Sequence, residues 1–246
     1  MHFAPASSRL GLRFRDRQLP TADHPLDRPV WGSLTGRWRP LALPAGAALR
    51  LAPEYGPFAA TPELTAASLQ DLAAIDLGEA ALDLIEPVPV AAPPGLAVAL
   101  QAPLVQMTAA TIIGGGRELE VVDLGEADGD EMLALAQLTR PGPFAARTHA
   151  LGGFIGVKAA GQLVAMAGER MRPEGFCEVS GVCTHPDHRG RGYAGSLMRL
   201  VARRILARGE IPFLHAFETN VGAVALYQTL GFRLRRVVSL TILKRA

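Results

Sequence analysis

Residues 177–195 read CEVSGVCTHPDHRGRGYAG, and they decide how the rest of the chain is interpreted. The apolar first part predicts a β-strand, and Gly190 and Gly192 predict a sharp turn that runs into a helix. The first N–H groups of a helix have no partner within it and carry a partial positive charge, so they bind anions such as phosphates. Arg189 and Arg191 add positive charge at the same point. The segment therefore predicts a phosphate site, with a solvated loop tightened by glycines as the structural alternative.

The surrounding residues 118–246 alternate between short strand patterns and amphipathic helix patterns. The predicted strands are 119–124, 154–159, 162–171, 177–184, 211–218 and 233–245. The predicted helices are 128–138, 192–208 and 222–229. This β-α-β-β-β-α-β-α-β order predicts the α+β fold class.

Two motifs lie in this portion, in a fixed order and with a predicted strand between them. The first has the spacing Arg/Gln-x-x-Gly-x-Gly/Ala and is met by Arg189, Gly192 and Ala194. The second has the spacing N-x-x-A-x-x-x-Y-x-x-x-G-F and is met by Asn220, Ala223, Tyr227, Gly231 and Phe232. With both motifs present, residues 118–246 resemble the GNAT superfamily of acyl-CoA-dependent N-acyltransferases.

The resemblance implies a mixed, mostly antiparallel twisted sheet flanked by helices. It also implies that acetyl-CoA is a cosubstrate, and the sequence gives no reason to expect a metal site. The acetyl group would pass to an amine of a small molecule or peptide by direct attack in a ternary complex. The residues that the resemblance places against coenzyme A are Val182, Thr184, Arg189, Gly190, Arg191, Gly192, Tyr193, Ala194 and Asn220.

Each of these positions has an implied role. Backbone N–H groups of the loop would hold the pyrophosphate, and the pantetheine arm would pair like an extra strand at Val182 and Thr184. Main-chain groups there would also hold the thioester carbonyl. Asn220 would contact the pantetheine, and Tyr227 would donate a proton to the departing thiolate. The residues alone leave alternatives, because Asn220 can cap a helix and Tyr227 can be a half-buried core aromatic.

A general base is also expected, because an amine attacks only when it is neutral. Glu178, in the strand that would bear the thioester, is the first choice for this role. Glu169, Glu218, His185 and His215 are the alternatives.

The acceptor is expected to enter over the loop 139–151. Basic side chains on this loop favour an anionic acceptor, whereas nearby carboxylates favour a cationic one, so the acceptor stays open. The basic residues are Arg140, Arg147 and His149, and the acidic ones are Glu169, Glu174 and Glu178.

Residues 1–117 are predicted to form a separate, smaller α+β domain. They hold 14 of the 19 prolines and show no cluster of catalytic residue types. Strands are predicted at 38–43, 48–52, 81–84 and 96–100, and a helix at 65–74. Trp31 and Trp38 are expected to anchor a core. This portion would be a degenerate copy of the same fold, a wall of the acceptor site or a cover for one face of the sheet.

Composition excludes several classes of protein. A formal net charge of +2 gives no general field for nucleic acids, and no apolar run approaches the roughly 20 residues of a membrane helix. Cys177 and Cys183 are too few for a disulfide framework or a zinc site, which favours the cytoplasm.

Two other functions are compatible with the same motifs. A coenzyme A-binding sensor or scaffold would keep the cleft and lack transfer activity. The letters GRGYAG at residues 190–195 also match a dinucleotide fingerprint. That match is weak, because five residues separate the strand from the first glycine and little chain remains for further β-α units.

Overall fold

The computed structural model describes residues 24–115 and 118–246. It contains five α-helices in this part of the chain, at α1 (Pro29–Thr35), α2 (Ala66–Ala73), α3 (Gly129–Thr139), α4 (Tyr193–Ala207) and α5 (Val221–Thr229). The first six strands are β1 (Ala42–Ala45), β2 (Ala48–Leu51), β3 (Ala59–Ala60), β4 (Leu82–Glu86), β5 (Leu96–Thr108) and β6 (Val122–Leu124). The other five are β7 (Phe154–Ala159), β8 (Gln162–Glu169), β9 (Phe176–Thr184), β10 (Ile211–Phe217) and β11 (Arg233–Arg245).

Eight of these strands form one sheet in the order β4-β11-β5-β10-β9-β8-β7-β6. Neighbouring strands run antiparallel, except for the parallel pair β9 and β10. The predicted α+β class, with a mostly antiparallel sheet flanked by helices, is confirmed.

The two faces of the sheet are covered by different parts of the chain. Helix α4 packs on one face through Leu197, Val201 and Ile205, which recur at helical spacing and are almost completely buried. The other face is covered by α1, by α3 and by the small antiparallel sheet β1-β2-β3. Trp38 anchors this second core, as predicted, whereas Trp31 is only half-buried.

All nine elements predicted for residues 118–246 are present, with ends shifted by a few residues. In the N-terminal portion, Thr65 caps α2 by accepting a hydrogen bond from the Ser68 N–H. The strand predicted at 38–43 is wrong in its first half, where residues Arg39–Leu41 form a 3-10 turn. Pro40 explains this difference, because its fixed φ favours a helical turn and it lacks an N–H for a ladder. Strand β5 continues to Thr108, well beyond the predicted end at residue 100.

The main sheet is continuous across the boundary expected at residues 117/118. Strands β4 and β5 belong to the N-terminal portion, and they complete the sheet formed by the later strands. The element order of residues 24–115, α-β-β-β-α-β-β, also resembles that of 118–246 without its first strand and last helix. The division into two domains and the origin as a degenerate copy stay predictions. Residues 1–23, 116 and 117 of this division lie outside the described part of the chain.

Candidate active site

The loop between β9 and α4 has the geometry of an anion site. Gly190 and Gly192 have φ values of +73° and +79°, in the left-handed region that favours glycine. A Cβ at either position would meet no heavy atom within 4 Å, so the backbone here is open to an approaching ligand. The Ser196 N–H donates to the Gly192 carbonyl in the first bond of α4, at 3.2 Å. The N–H groups of the three residues between them therefore have no partner within the helix.

A groove of about 710 Å³ runs along this loop. The sequence-predicted residues that line it are Val182, Thr184, Arg189, Gly190, Arg191, Gly192, Tyr193 and Ala194. Arg199, from the second turn of α4, also lines the groove, although neither sequence motif includes it. Its place in the helix that follows the glycine loop is the sequence feature that could have identified it as a groove residue. The groove thus combines free N–H groups with three arginines.

Strands β9 and β10 separate beside this groove. They pair only over three residues, the last pair being Glu178 with Phe213, after which β10 pairs with β5 alone. The edge of β9 that faces β10 is therefore open beyond Glu178. Gly181, with a φ of +62°, marks a bulge at which β9 has one residue more than β8. Cys183 is buried, whereas Val182 and Thr184 on either side of it are half-buried and line the groove.

A chamber of about 470 Å³ lies at this gap. It adjoins the groove, with which it shares six lining residues: Thr139, Pro141, Val182, Ala194, Ala223 and Leu226. Its ionisable lining residues are Asp83, Arg140, Arg170, Glu178, His215 and Tyr227. The chamber therefore receives residues from both portions of the chain.

Both carboxylate oxygens of Glu178 have hydrogen-bond partners at the base of the chamber. Its carboxylate accepts two hydrogen bonds from Arg170, at 2.8 and 3.0 Å, and Oε1 lies 2.8 Å from Nδ1 of His215. Burial alone would raise the pKa of Glu178, but the charge of Arg170 and the hydrogen bond to His215 lower it to about 2. A carboxylate with such a low pKa and such partners is a poor proton acceptor at neutral pH.

The ring of His215 is also satisfied on both sides. Gln106 directs its amide NH₂ at the Leu26 carbonyl and at Nε2 of His215, while its oxygen accepts a bond from Arg235. This pattern assigns Nε2 as an acceptor and Nδ1 as the donor to Glu178. It fits the neutral imidazole, because a proton on Nε2 would face the NH₂ group of Gln106.

Comparisons with known proteins agree with this geometry. The family model described as FR47-like protein matches residues 155–240. A solved structure described as an acetyltransferase of the GNAT family from Novosphingobium aromaticivorans is 47% identical, with a TM-score of 0.85. The alignment covers 91% of this chain and 100% of that one. The chain belongs to the GNAT family. A comparison with curated proteins gave no match.

Two more distant solved structures share the fold of this GNAT chain. A GCN5-related N-acetyltransferase from Kribbella flavida is 19% identical with a TM-score of 0.60, over 88% of this chain and 93% of that one. A GCN5-related N-acetyltransferase-like protein from Streptococcus suis is 17% identical with a TM-score of 0.57, over 88% and 92%. Membership of the family indicates acyl transfer, use of an acyl-CoA and an amine acceptor as the general type of reaction.

Tyr227 and Asn220 line the chamber beside the groove. Tyr227 is half-buried, and burial raises the pKa of its phenol above the usual value, which keeps the hydroxyl protonated. Asn220 caps α5, since its side-chain oxygen accepts a bond from the Ala223 N–H at 3.2 Å. The amide NH₂ group of Asn220 is not needed for this cap.

The alternative bases considered from the sequence line neither the groove nor the chamber, apart from His215. Glu169 pairs with Arg208 at 2.8 Å, and Glu218 is exposed. His185 caps the turn before α4 by accepting a bond from the Asp187 N–H. Glu169, Glu218 and His185 therefore face neither the groove nor the chamber.

The loop 139–151 contributes to the chamber through its first five residues only. Arg140 lines the chamber, but Arg147 lies over the ring of Tyr55, at 5.3 Å from its centroid. His149 is buried, with Nε2 at 3.2 Å from Glu126. Only one of the three basic residues that suggested an anionic acceptor thus faces this space.

Asp83 is a chamber residue that the sequence analysis did not single out. It lies on β4, in the portion without recognisable motifs, and its residue is 5% exposed. Burial raises the pKa of Asp83 to about 6, against a smaller opposing effect of the Arg170 charge. A carboxylate inside the apolar strand sequence LDLIE is the one signal that could have pointed to it.

The described residues show two further features that bear on function. Within residues 24–115 and 118–246, no helix is long and apolar enough to cross a membrane. In the same part of the chain, no three His, Cys, Asp or Glu side chains are grouped to hold a metal ion.

Proposed function

We propose that this GNAT chain is an N-acetyltransferase that moves the acetyl group of acetyl-CoA to an amine by direct attack. The observation that carries the proposal is that the groove and the chamber adjoin and share Val182 and Ala194. A cosubstrate along the loop and an acceptor in the chamber would then meet beside Tyr227.

The groove offers the donors that a pyrophosphate requires. Free N–H groups at the start of α4 and the arginines Arg189, Arg191 and Arg199 supply directed hydrogen bonds and positive charge. The open edge of β9 beyond Glu178 supplies main-chain groups for an extended arm. Thr184 and Val182 lie on this edge, and Asn220 lies across the gap. These features support the cofactor residues expected from the motifs.

The proposed reaction forms a bond between the acceptor nitrogen and the acyl carbon and breaks the carbon–sulfur bond. Main-chain N–H groups near the bulge at Gly181 would stabilise the negative charge that develops on the thioester oxygen. Tyr227 would give its phenolic proton to the departing thiolate, and its raised pKa keeps that proton available. The proton of the attacking amine would leave through water to a base.

We assign Glu178 a positioning role in place of the base role expected from the sequence. Both of its oxygens are occupied by Arg170 and His215, and its pKa is lowered to about 2. The neutral His215 is likewise bonded through both ring nitrogens. The pair would therefore hold β9 and β10 at the base of the gap.

Calorimetry followed by a transfer assay tests this function. Acetyl-CoA is expected to bind, and NAD⁺, which shares the pyrophosphate, is the matched ligand for the dinucleotide alternative. Release of free thiol is then followed with amino acids, polyamines, aminoglycosides and peptide N-termini as acceptors. Absence of acetyl-CoA binding at millimolar concentration would overturn the proposal. Binding without transfer to any of these amines would favour the sensor or scaffold.

A further inference from the structure

Asp83 differs from the other carboxylates buried against the sheet, because it has no partner in the described part of the chain. Glu86 pairs with Arg28, Glu169 with Arg208, and Glu178 with Arg170. Among residues 24–115 and 118–246, no side chain forms a hydrogen bond or ion pair with the carboxylate of Asp83. Burying a charge without a partner is costly, so a group of this kind calls for an explanation.

The position of Asp83 places it in the chamber wall furthest from the cofactor loop. In the sheet, Asp83 pairs with Ile242 of β11, and its own strand is an edge strand. Three steps separate β4 from β10, which amounts to about 14 Å along a sheet with strands about 4.8 Å apart. Phe58, whose backbone forms a bridge with that of Asp83, lines the same wall together with Ile85 and Leu240. Asp83 is thus a charged group in an apolar wall.

The charges within the chamber leave one carboxylate uncompensated. The negative charge of Glu178 is balanced by Arg170, and the hydrogen bonds of His215 fit its neutral form. Tyr227 is protonated at neutral pH, and Arg140 is an exposed residue of the loop. Asp83 therefore gives the buried part of the chamber an excess of negative charge.

We propose that Asp83 is the acceptor-binding carboxylate of the chamber and that the acceptor is a small diamine or an equivalent amine with a second positive charge. The inference rests on the proposed acetyl transfer. The reacting nitrogen must be neutral when it attacks, so a lasting ion pair with Asp83 requires a second, cationic nitrogen. The separation of Asp83 from the β9–β10 gap suits a molecule that reaches both ends, and a chamber of about 470 Å³ suits a small one.

Two variants test this assignment. Asp83→Asn keeps the shape of the side chain and removes its charge. Glu79→Gln is the matched control, because Glu79 is exposed, lies just before the same strand and is not a chamber residue. The probes are 1,8-diaminooctane, which is long enough when extended to reach from Asp83 to the gap, and octylamine, which lacks one of its two amino groups. Calorimetric titrations are made with each protein, both with and without saturating coenzyme A.

The wild-type protein and the Glu79→Gln variant are expected to bind the diamine at least about tenfold more tightly than Asp83→Asn does, because that variant loses a buried ion pair. The monoamine is itself a cation and should also lose affinity in Asp83→Asn, whereas only the diamine keeps a second nitrogen free for attack and should release thiol from acetyl-CoA in the wild-type protein. Coenzyme A should bind all three proteins equally. Unchanged diamine affinity in Asp83→Asn, equal thiol release from the two amines, or no amine binding would each overturn the inference. Failure of coenzyme A to bind would instead remove the proposed function, and the titrations without it would still test Asp83.

Discussion

Nδ1 of His215 lies 2.8 Å from Oε1 of Glu178, and this contact joins β10 to β9 at the point where the two strands stop pairing. The carboxylate also binds Arg170, and the imidazole also meets Gln106 of β5. A polar network therefore fixes the base of the gap that forms the chamber. Such a network stabilises the fold only while every polar group in it keeps its hydrogen-bond partners.

The Glu178→Gln variant should be strongly destabilised. The amide cannot balance Arg170, and removing one partner of a buried ion pair typically costs about 3–5 kcal/mol. Denaturant unfolding near pH 7 would measure the loss. Glu218→Gln is the control, because Glu218 is an exposed carboxylate that directly follows the end of β10. Its free energy of unfolding should stay within about 0.5 kcal/mol of the wild-type value.

The same variant should show a defined pH dependence. The pKa of Glu178 is lowered from an ordinary 4.5 to about 2, so its ionised form stabilises the folded protein. That contribution is complete above about pH 5 and is lost as the pH falls towards about 2. The difference in unfolding free energy between wild type and Glu178→Gln should therefore shrink on acidification. A constant difference from pH 6 to pH 2.5 would contradict the assigned ion pair.

The geometry of the glycine loop before α4 was predictable from the sequence because it is local. Gly190 and Gly192 directly precede α4, whose first N–H groups have no partner within the helix. Tyr227 lies on α5, the helix that follows β10. Their positions follow from short-range spacing, and the helices and strands of this portion formed where the pattern indicated them.

Asp83 and the polar network were not predictable, because they depend on pairing between distant segments. Asp83 enters the chamber through the pairing of β4 with β11, and Gln106 meets His215 through the pairing of β5 with β10. Neither register can be derived from a single strand pattern. The same reason applies to Glu178, for which the sequence suggested a base role. The sequence does not show that Arg170 and His215 bind its carboxylate.

Asp83→Asn should make the protein more stable above about pH 6 while it weakens acceptor binding. The pKa of Asp83 is raised from an ordinary 3.8 to about 6, so its ionised form destabilises the folded state. Wild-type stability should fall as the pH rises from about 4 to about 6, by up to about 3 kcal/mol relative to Asp83→Asn. Thermal unfolding of both proteins from pH 4 to pH 8 measures this. A structural role for Asp83 predicts the reverse, namely a variant less stable at pH 8.

Tyr227→Phe should lower turnover and leave acetyl-CoA affinity nearly unchanged. The phenol is expected to protonate the leaving thiolate, a contribution of about 100-fold or more to the rate. Its ring contacts Phe232, with centroids 6.4 Å apart, and phenylalanine preserves this contact. Thiol release measures kcat, and calorimetry measures the dissociation constant of acetyl-CoA. Unchanged turnover would remove the acid role.

Gly192→Asp should strongly weaken coenzyme A binding, and the chain offers a matched control for this test. Gly192 precedes α4 with a φ of +79°, and Gly209 follows the same helix with a φ of +78°; a Cβ at either would meet nothing within 4 Å. Both aspartate variants therefore incur similar backbone strain, about 1–2 kcal/mol, and the same added charge. Only the carboxylate at 192 would face the pyrophosphate, where like charges side by side cost several kcal/mol. Calorimetry should thus show binding weakened by at least about 30-fold in Gly192→Asp and near wild-type binding in Gly209→Asp. Equal losses in the two variants would mean that strain, and not an anion site at the start of α4, explains the result.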